Sequence, residues 1–386
     1  MIGRPLLRAI VDEWRFLAGR GRSTLIVLLG IPFFYPVVIA WLYAENQPVE
    51  RPILVVDDDN SALSRRLVTD LEATHELRIV GRPATAEEGF HRILQGDAEA
   101  VVWIPPDLAT DVKQGRQGHV KVWVNAGNML TYSVAYAAIS NVMQHLTEDL
   151  DVRYFVEKGI PRDAATNRVM PILRDDRILF RPDLSYGSYL VPGVMMVVLQ
   201  QLILVALAFS CGMAREFHLT WPGTEAATAW GKVFGQFPVY MLGAAFLALF
   251  LFPLCGWPDA RPGALLVVMT AFLVAMVPVA VLVAGPARDR YYAFLMLMLL
   301  SSPIFMASGY AWPMNHLPTY IQVLTLAIPL RPALSAMQLV SVKGCSLGEV
   351  APQLLHLGAL AVGWTLVTLV FQWLAARFRG GRASLG

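Results

Sequence analysis

The densest run of acid in the chain is Asp57-Asp58-Asp59, which closes the apolar stretch Ile53-Leu54-Val55-Val56. Two chemistries use carboxylates in such a place. A phosphoacceptor pocket of the response-regulator kind also needs an aspartate closing its third strand. Here that strand, Val101-Val102-Trp103-Ile104, runs into Pro105-Pro106, and the next carboxylate, Asp107, belongs to the following loop. A divalent cation needs several oxygens converging on one point, whereas successive residues at a strand end point to alternate sides. The run therefore reads as a solvated turn.

No other set of residues forms a catalytic constellation. The chain has no Gly-x-x-x-x-Gly-Lys-Ser/Thr loop, no nucleophile elbow and no His-Glu-x-x-His pair. His91, His119 and His145 lack metal-ligand spacing, and Cys211, Cys255 and Cys345 lack metal or redox spacing. Cys255 and Cys345 could pair on the outer side, or all three cysteines could pack as small apolar residues. We expect no catalytic, metal-binding or cofactor-binding residue in this chain.

What remains is polar chemistry set inside apolar sequence. Arg215, Glu216, Gly223, Thr224, Glu225 and Lys232 lie in a short passage, 215–232, between the charge-free runs Ser188–Ala214 and Val233–Pro258. Its carboxylates could make charge-assisted contacts with a soluble partner, and its cations are also what a topology anchor requires. Gln200, Gln201, Ser301 and Ser302 could line a pathway, with Ser308 and Gly309 at its outer gate. The same groups serve equally well as hydrogen bonds between helices.

The elements that position these residues follow from composition. With 56% hydrophobic residues, 16% charged and a mean hydropathy of +0.51, the chain departs from soluble proteins, in which about 25% of residues are charged. It reads as a polytopic α-helical membrane protein. A net charge of +2 without a basic stripe excludes nucleic acid as a partner.

Residues 1–22 form an expected amphipathic helix in the membrane interface, with Leu6, Leu7, Ile10, Trp14 and Leu17 recurring at helical spacing. A first transmembrane helix is expected over 23–44. It is longer than a signal-peptide core of about 7–15 residues, and Leu42-Tyr43-Ala44 makes a poor cleavage site. Residues 45–186 return to ordinary composition and alternate strand-like with helix-like segments, which predicts an inserted extracytoplasmic α/β domain. Residues 187–386 then carry the runs already named and three more free of Asp, Glu, Lys and Arg: Pro262–Ala287, Tyr291–Leu330 and Val350–Ala376.

Charge placement sets the topology. Six crossings put the basic N-terminus, Arg215, Lys232, Arg288, Arg290, Arg377, Arg379 and Arg382 on one side, cytoplasmic by the positive-inside rule, together with both termini. A seventh crossing would bury Arg331 at roughly 2.5–3.5 kcal/mol. Residues 308–349 are therefore expected as an outer region of short helices or a re-entrant turn.

This layout resembles the permease subunit of an ATP-binding-cassette exporter of the type-2 superfamily. The residues carrying the resemblance are Arg215-Glu216, Gly223-Thr224-Glu225 and Gly231-Lys232, then Ser308-Gly309 with Pro313 and Pro318. In the inserted domain they are Val55-Val56-Asp57-Asp58-Asp59-Asn60-Ser61 with Ser64, and Gly96-Asp97-Ala98-Glu99-Ala100 with Ile104-Pro105. The chain departs from the family where Phe217 to Pro222 separate the Arg-Glu pair from Gly-Thr. The resemblance implies a pathway formed by two copies or by this chain with a paralogue in a bacterial inner membrane. It further implies coupling through 215–232 to a separate ABC ATPase subunit that carries ATP and Mg2+, and a periplasmic adaptor meeting the external domain. The alternative is a membrane receptor or assembly factor with an external ligand-binding domain.

Overall fold

The computed structural model describes residues 3–44, 50–127, 129–172, 186–217, 225–252, 261–287 and 289–383. The chain divides into two units, one formed by Met1–Glu45 with Leu179–Gly386 and the other by Asn46–Ile178.

The second unit is an α/β fold. Its elements are β1 (Arg51–Asp57), α3 (Ala62–Glu72), β2 (Leu77–Gly81), α4 (Ala86–Gln95), β3 (Ala100–Ile104), α5 (Leu108–Lys113), β4 (Lys121–Val124), α6 (Met129–Glu157) and α7 (Arg162–Val169). The sheet runs β2-β1-β3-β4, with β1 parallel to both neighbours and β4 antiparallel at the edge. Flanked on both sides, β1 is apolar on both faces, as a central parallel strand must be. Ile53 and Val55 pack with Leu67 and Leu71 of α3 and Ile139 and Leu146 of α6, while Leu54 and Val56 pack with Ile93 of α4 and Val101.

The acidic run ends β1 as a capping turn. Asp57 Oδ1 accepts from the Asn60 amide at 3.0 Å and Asp57 Oδ2 from the Ser64 hydroxyl at 2.8 Å, while Ser61 caps α3 in a capping box with Ser64. Asp58 instead accepts from Trp103 Nε1 at 2.7 Å, and Asp59 faces the Ala109 amide at 3.3 Å. The three carboxylates diverge, and among the described residues no cluster of His, Cys, Asp or Glu could hold a metal.

The first unit is a helical bundle. An N-terminal helix, α1 (Gly3–Ala18), leads into α2 (Arg22–Ala44). After the inserted unit come α8 (Tyr186–Glu216), α9 (Glu225–Phe246, continued by a π-turn at Leu247–Leu251) and α10 (Pro262–Val283). Then follow α11 (Arg290–Ala307), α12 (Thr319–Thr325), α13 (Leu330–Ser341) and α14 (Ala351–Ala383). Six of these, α2, α8, α9, α10, α11 and α14, are long and apolar enough to cross a membrane. The chain is thus a mostly helical, polytopic membrane protein.

The central helix is α8, apolar on every face and buried on nearly all of them, which is the pattern of a helix enclosed by others. It packs against α2, α9, α10, α11 and α13. In contrast, α11 touches the bundle along one stripe that includes Leu297 and Ser301, and leaves Tyr292, Leu295, Leu299 and Met306 exposed.

The helical passages reach further than the sequence suggested. Within 215–232, Arg215 and Glu216 still belong to α8, and Glu225 already begins α9.

Candidate functional site

The first site grows from one misfit in α1. Leu6, Ile10, Glu13 and Leu17 are spaced by four, three and four residues, so a carboxylate sits in the helix's apolar stripe. Packing against α9 buries Glu13 and Leu17 of that stripe. Glu13 is 0% exposed beside Ala9, Phe16 and Leu17, whereas Leu7, Val11 and Trp14 stay uncovered on the opposite face. Close approach is possible because α9 presents Gly231 and Gly235. A Cβ on Gly231 would meet the Ala9 Cβ at 2.3 Å, and one on Gly235 would meet Glu13 at 3.2 Å. This is the small-residue helix contact that sustains packing in membranes.

Between those glycines stands Lys232, whose side chain is 1% exposed. Its Nζ donates to Glu13 Oε2 at 2.7 Å and to the Ser210 hydroxyl at 2.8 Å, and lies 4.7 Å from the centre of the Phe16 ring. Ser210 donates to Glu13 Oε1 at 2.6 Å, Gln236 donates to the same oxygen, and Tyr240 donates to Gln236 at 2.6 Å. One buried, fully bonded network thus joins α1, α8 and α9. Lys232, expected at the surface of a loop, lies inside this latch, where its ammonium is shielded from any soluble partner.

Arg215 and Glu216 extend the network sideways. Arg215 donates through Nη2 to the Gly285 carbonyl at 3.0 Å and through Nη1 to that of Ala287, just past the C-terminus of α10. A cation there satisfies carbonyls that the helix leaves unpaired and complements its dipole. Glu216 faces Arg290 at 3.5 Å, at the start of α11, whose N-terminus is capped by Asp289. Trp230 donates to Gln372 of α14 at 3.2 Å. All six long helices are gathered at this end, since Thr24 at the start of α2 also faces Met213 of α8 at 3.6 Å. Gly223 and Thr224 lie outside the described residues, as do Trp221, Trp257, Cys255 and Arg288.

Midway along the bundle, Gln200 donates to Ser301 at 3.4 Å, linking α8 to α11, and both are buried. Gln201 is buried with its Oε1 unpartnered, and Ser302 is exposed. These four do not converge on one space.

At the opposite end, Ser308 and Gly309 turn the chain after α11. Gly309 has φ +84°, a conformation that suits glycine. The Ser308 hydroxyl donates to the Phe305 carbonyl at 2.6 Å and accepts from the Tyr310 amide at 3.3 Å. Tyr310 then packs on Gly193 of α8, where any Cβ would meet its ring at 2.3 Å. Next, α12 and α13 meet at 84°. Backbone broken in this way survives in a membrane only where protein satisfies it. Here Trp364 of α14 donates to the Ala327 carbonyl at 2.7 Å, His356 contacts the Leu326 carbonyl at 3.0 Å, and Arg331 reaches the Gln322 carbonyl and the Thr325 hydroxyl.

Neither His356 nor Trp364 was recognised in the sequence, because nothing there says which carbonyls a break will free. Glu13 was also missed, although its place in an apolar stripe was visible.

Comparison with known proteins agrees with this architecture. Residues 22–370 match the family model described as ABC-2 family transporter protein. The inner membrane transport permease YhhJ of Escherichia coli (strain K12) is 24% identical over 327 residues, covering 82% of this chain and 83% of that protein. The probable multidrug ABC transporter permease YbhR of the same organism is 19% identical over 319 residues, covering 79% and 81%. The family match extends through both units and decides against the receptor or assembly-factor alternative. The chain belongs to the ABC-2 family of transporter proteins and is a membrane permease subunit of an ABC transporter.

Proposed function

We propose that this permease forms half of an ATP-driven exporter in a bacterial inner membrane, with a second copy or a paralogue completing the pathway. Hydrolysis of ATP, with its Mg2+, belongs to a separate ABC ATPase that docks on the end of the bundle containing Arg215, Glu216 and Glu225. Gly223 and Thr224 complete the docking surface.

The observation carrying this reading is the buried network around Glu13 and Lys232. A push on the start of α9 reaches α1 through Lys232 and α8 through Ser210. Through Arg215 and Glu216 it reaches the ends of α10 and α11. Packed helices joined in this way move as rigid bodies. Lys232 serves as a transmission element within this scheme, and the docking contacts fall to the residues before it.

The same end carries Arg8, Arg15, Arg20, Arg22, Arg215, Arg290 and Arg377, which supports a cytoplasmic orientation with both termini inside. The relatives named as inner-membrane and transport permeases support the location. With that orientation the α/β unit, inserted between α2 and α8, is external. There it assists substrate release and offers a surface for a periplasmic adaptor.

Orientation is tested by impermeant maleimide labelling after Cys211, Cys255 and Cys345 are replaced. A cysteine introduced by His75→Cys should label in intact spheroplasts, and one introduced by Thr220→Cys only after permeabilisation. The reverse pattern would overturn the export topology.

A further inference from the structure

The turn after α11 and one face of α13 line a half-open cleft of about 220 Å³, with Ser308, Gly309, Tyr310 and Met314 on one side and Arg331, Leu334, Ser335 and Gln338 on the other. The polar residues on α13 follow helical spacing, with Arg331, Ser335 and Gln338 separated by four and three residues. They form one stripe.

The guanidinium in that stripe is held but not neutralised. Both of its protein hydrogen bonds, to the Gln322 carbonyl and to the Thr325 hydroxyl at 3.0 Å, leave from Nη1. Among the described residues no carboxylate lies within ion-pair distance of Arg331. Its Nε and Nη2 remain as donors, in the paired geometry that matches two oxygens of a carboxylate or phosphate. The Ser335 hydroxyl and the Gln338 amide likewise have no hydrogen bond among the described residues and line the same cleft. A fixed cation with neutral donors beside it and no counter-charge is the arrangement that recognises an anion.

Size narrows the class. At about 220 Å³ the cleft is smaller than the ~300–1,000 Å³ of pockets that enclose drug-sized molecules. It admits a headgroup. Met314 and Leu334 form its apolar wall, suited to the first carbons of an attached chain.

We infer that this cleft is a binding subsite for an anionic oxygen group, a phosphate or carboxylate, held by Arg331 with Ser335 and Gln338. The group comes from a membrane lipid headgroup or from a free anion in solution. The inference concerns binding at this end of the bundle and stands independently of the direction of transport.

The test uses the full-length chain in phosphatidylcholine nanodiscs. Phosphatidylglycerol is titrated into the discs in one arm and inorganic phosphate is added to the solution in the other, with thermal unfolding and bound-lipid mass spectrometry as readouts. Wild-type protein should bind at least one of the probes. Phosphatidylglycerol alone would identify a lipid headgroup, and phosphate in the second arm would identify a free anion. Arg331→Gln should weaken the effective probe by about tenfold or more, the loss expected for hydrogen bonds to a charged group. Arg331→Lys should recover part of it. Because Arg331 also braces the break between α12 and α13, the double variant Ser335→Ala/Gln338→Ala provides an independent reading that leaves the brace intact. It should weaken binding roughly threefold to tenfold. Failure of both probes to bind wild-type protein, or unchanged binding in the double variant, would overturn the proposal.

Discussion

The two ends of the bundle treat buried charge in opposite ways. At one end Lys232 and Glu13 are both inside the protein and in contact with each other, with Ser210 and Gln236 bonded to the pair and Tyr240 to Gln236. At the other, Arg331 is half-buried, fixed to a carbonyl and a hydroxyl, and has no carboxylate beside it among the described residues. A neutralised network holds helices in one relation to each other, and an unneutralised cation keeps a place for a ligand. In the account proposed here, the first end has a mechanical role and the second a binding role.

Breaking the paired end should have the largest effect. Lys232→Ala leaves the Glu13 carboxylate buried without its counter-charge, which is expected to cost roughly 3–5 kcal/mol, read as a lowered unfolding midpoint in detergent. The double replacement Glu13→Gln/Lys232→Met should regain most of that loss. If it does not, the pair is not the source of the effect.

The glycine contact sharpens the comparison, because it tests shape without touching charge. Gly231→Leu forces side-chain atoms into Ala9 and should cost about 1–3 kcal/mol, with faster hydrogen exchange confined to α1. At the other end, Trp364→Phe unmakes the bond to the Ala327 carbonyl. The expected cost is about 1–3 kcal/mol, seen as faster exchange across residues 319–341 while α1 is unchanged.

The smallest expected effect lies in the α/β unit and serves as a control. Arg66, 2.6 Å away, with Arg153 and Arg162, holds the Asp149 carboxyl below its ordinary range. A depressed carboxylate contributes stability that is present above its unfolded value and is lost as pH falls through the folded one. Hydrogen exchange in α6 and α3 should therefore accelerate only below the usual carboxylate range, and Arg66→Met should move the onset toward higher pH.

Much of this was legible in sequence because apolar length and period depend on local residues. The long apolar runs became the long helices, and the alternation within 45–186 became helices and the strands of one sheet. The interruption around Ser308 was visible in the sequence, and the helices that follow it, α12 and α13, meet at 84°. Partners across the bundle were not legible. Lys232 follows the start of α9 by about two turns, so it was drawn inside by the packing of α1, a helix separated from it by most of the chain. Gly231 and Gly235 carried a recognisable spacing, but only the facing Ala9 and Glu13 give it meaning. The carboxylates of Asp57 to Asp59 could be excluded as a convergent site from strand geometry alone, although their separate partners, Ser64, Trp103 and Ala109, required the fold.

The division of labour between the two ends is tested most directly by purifying the tagged chain from its native membranes in mild detergent and measuring the co-purified ATPase activity. Wild-type protein should bring down an ABC ATPase, Glu225→Lys should lose it, and Arg331→Gln should retain it. An ATPase absent from the wild-type preparation, or lost equally with Arg331→Gln, would contradict the account.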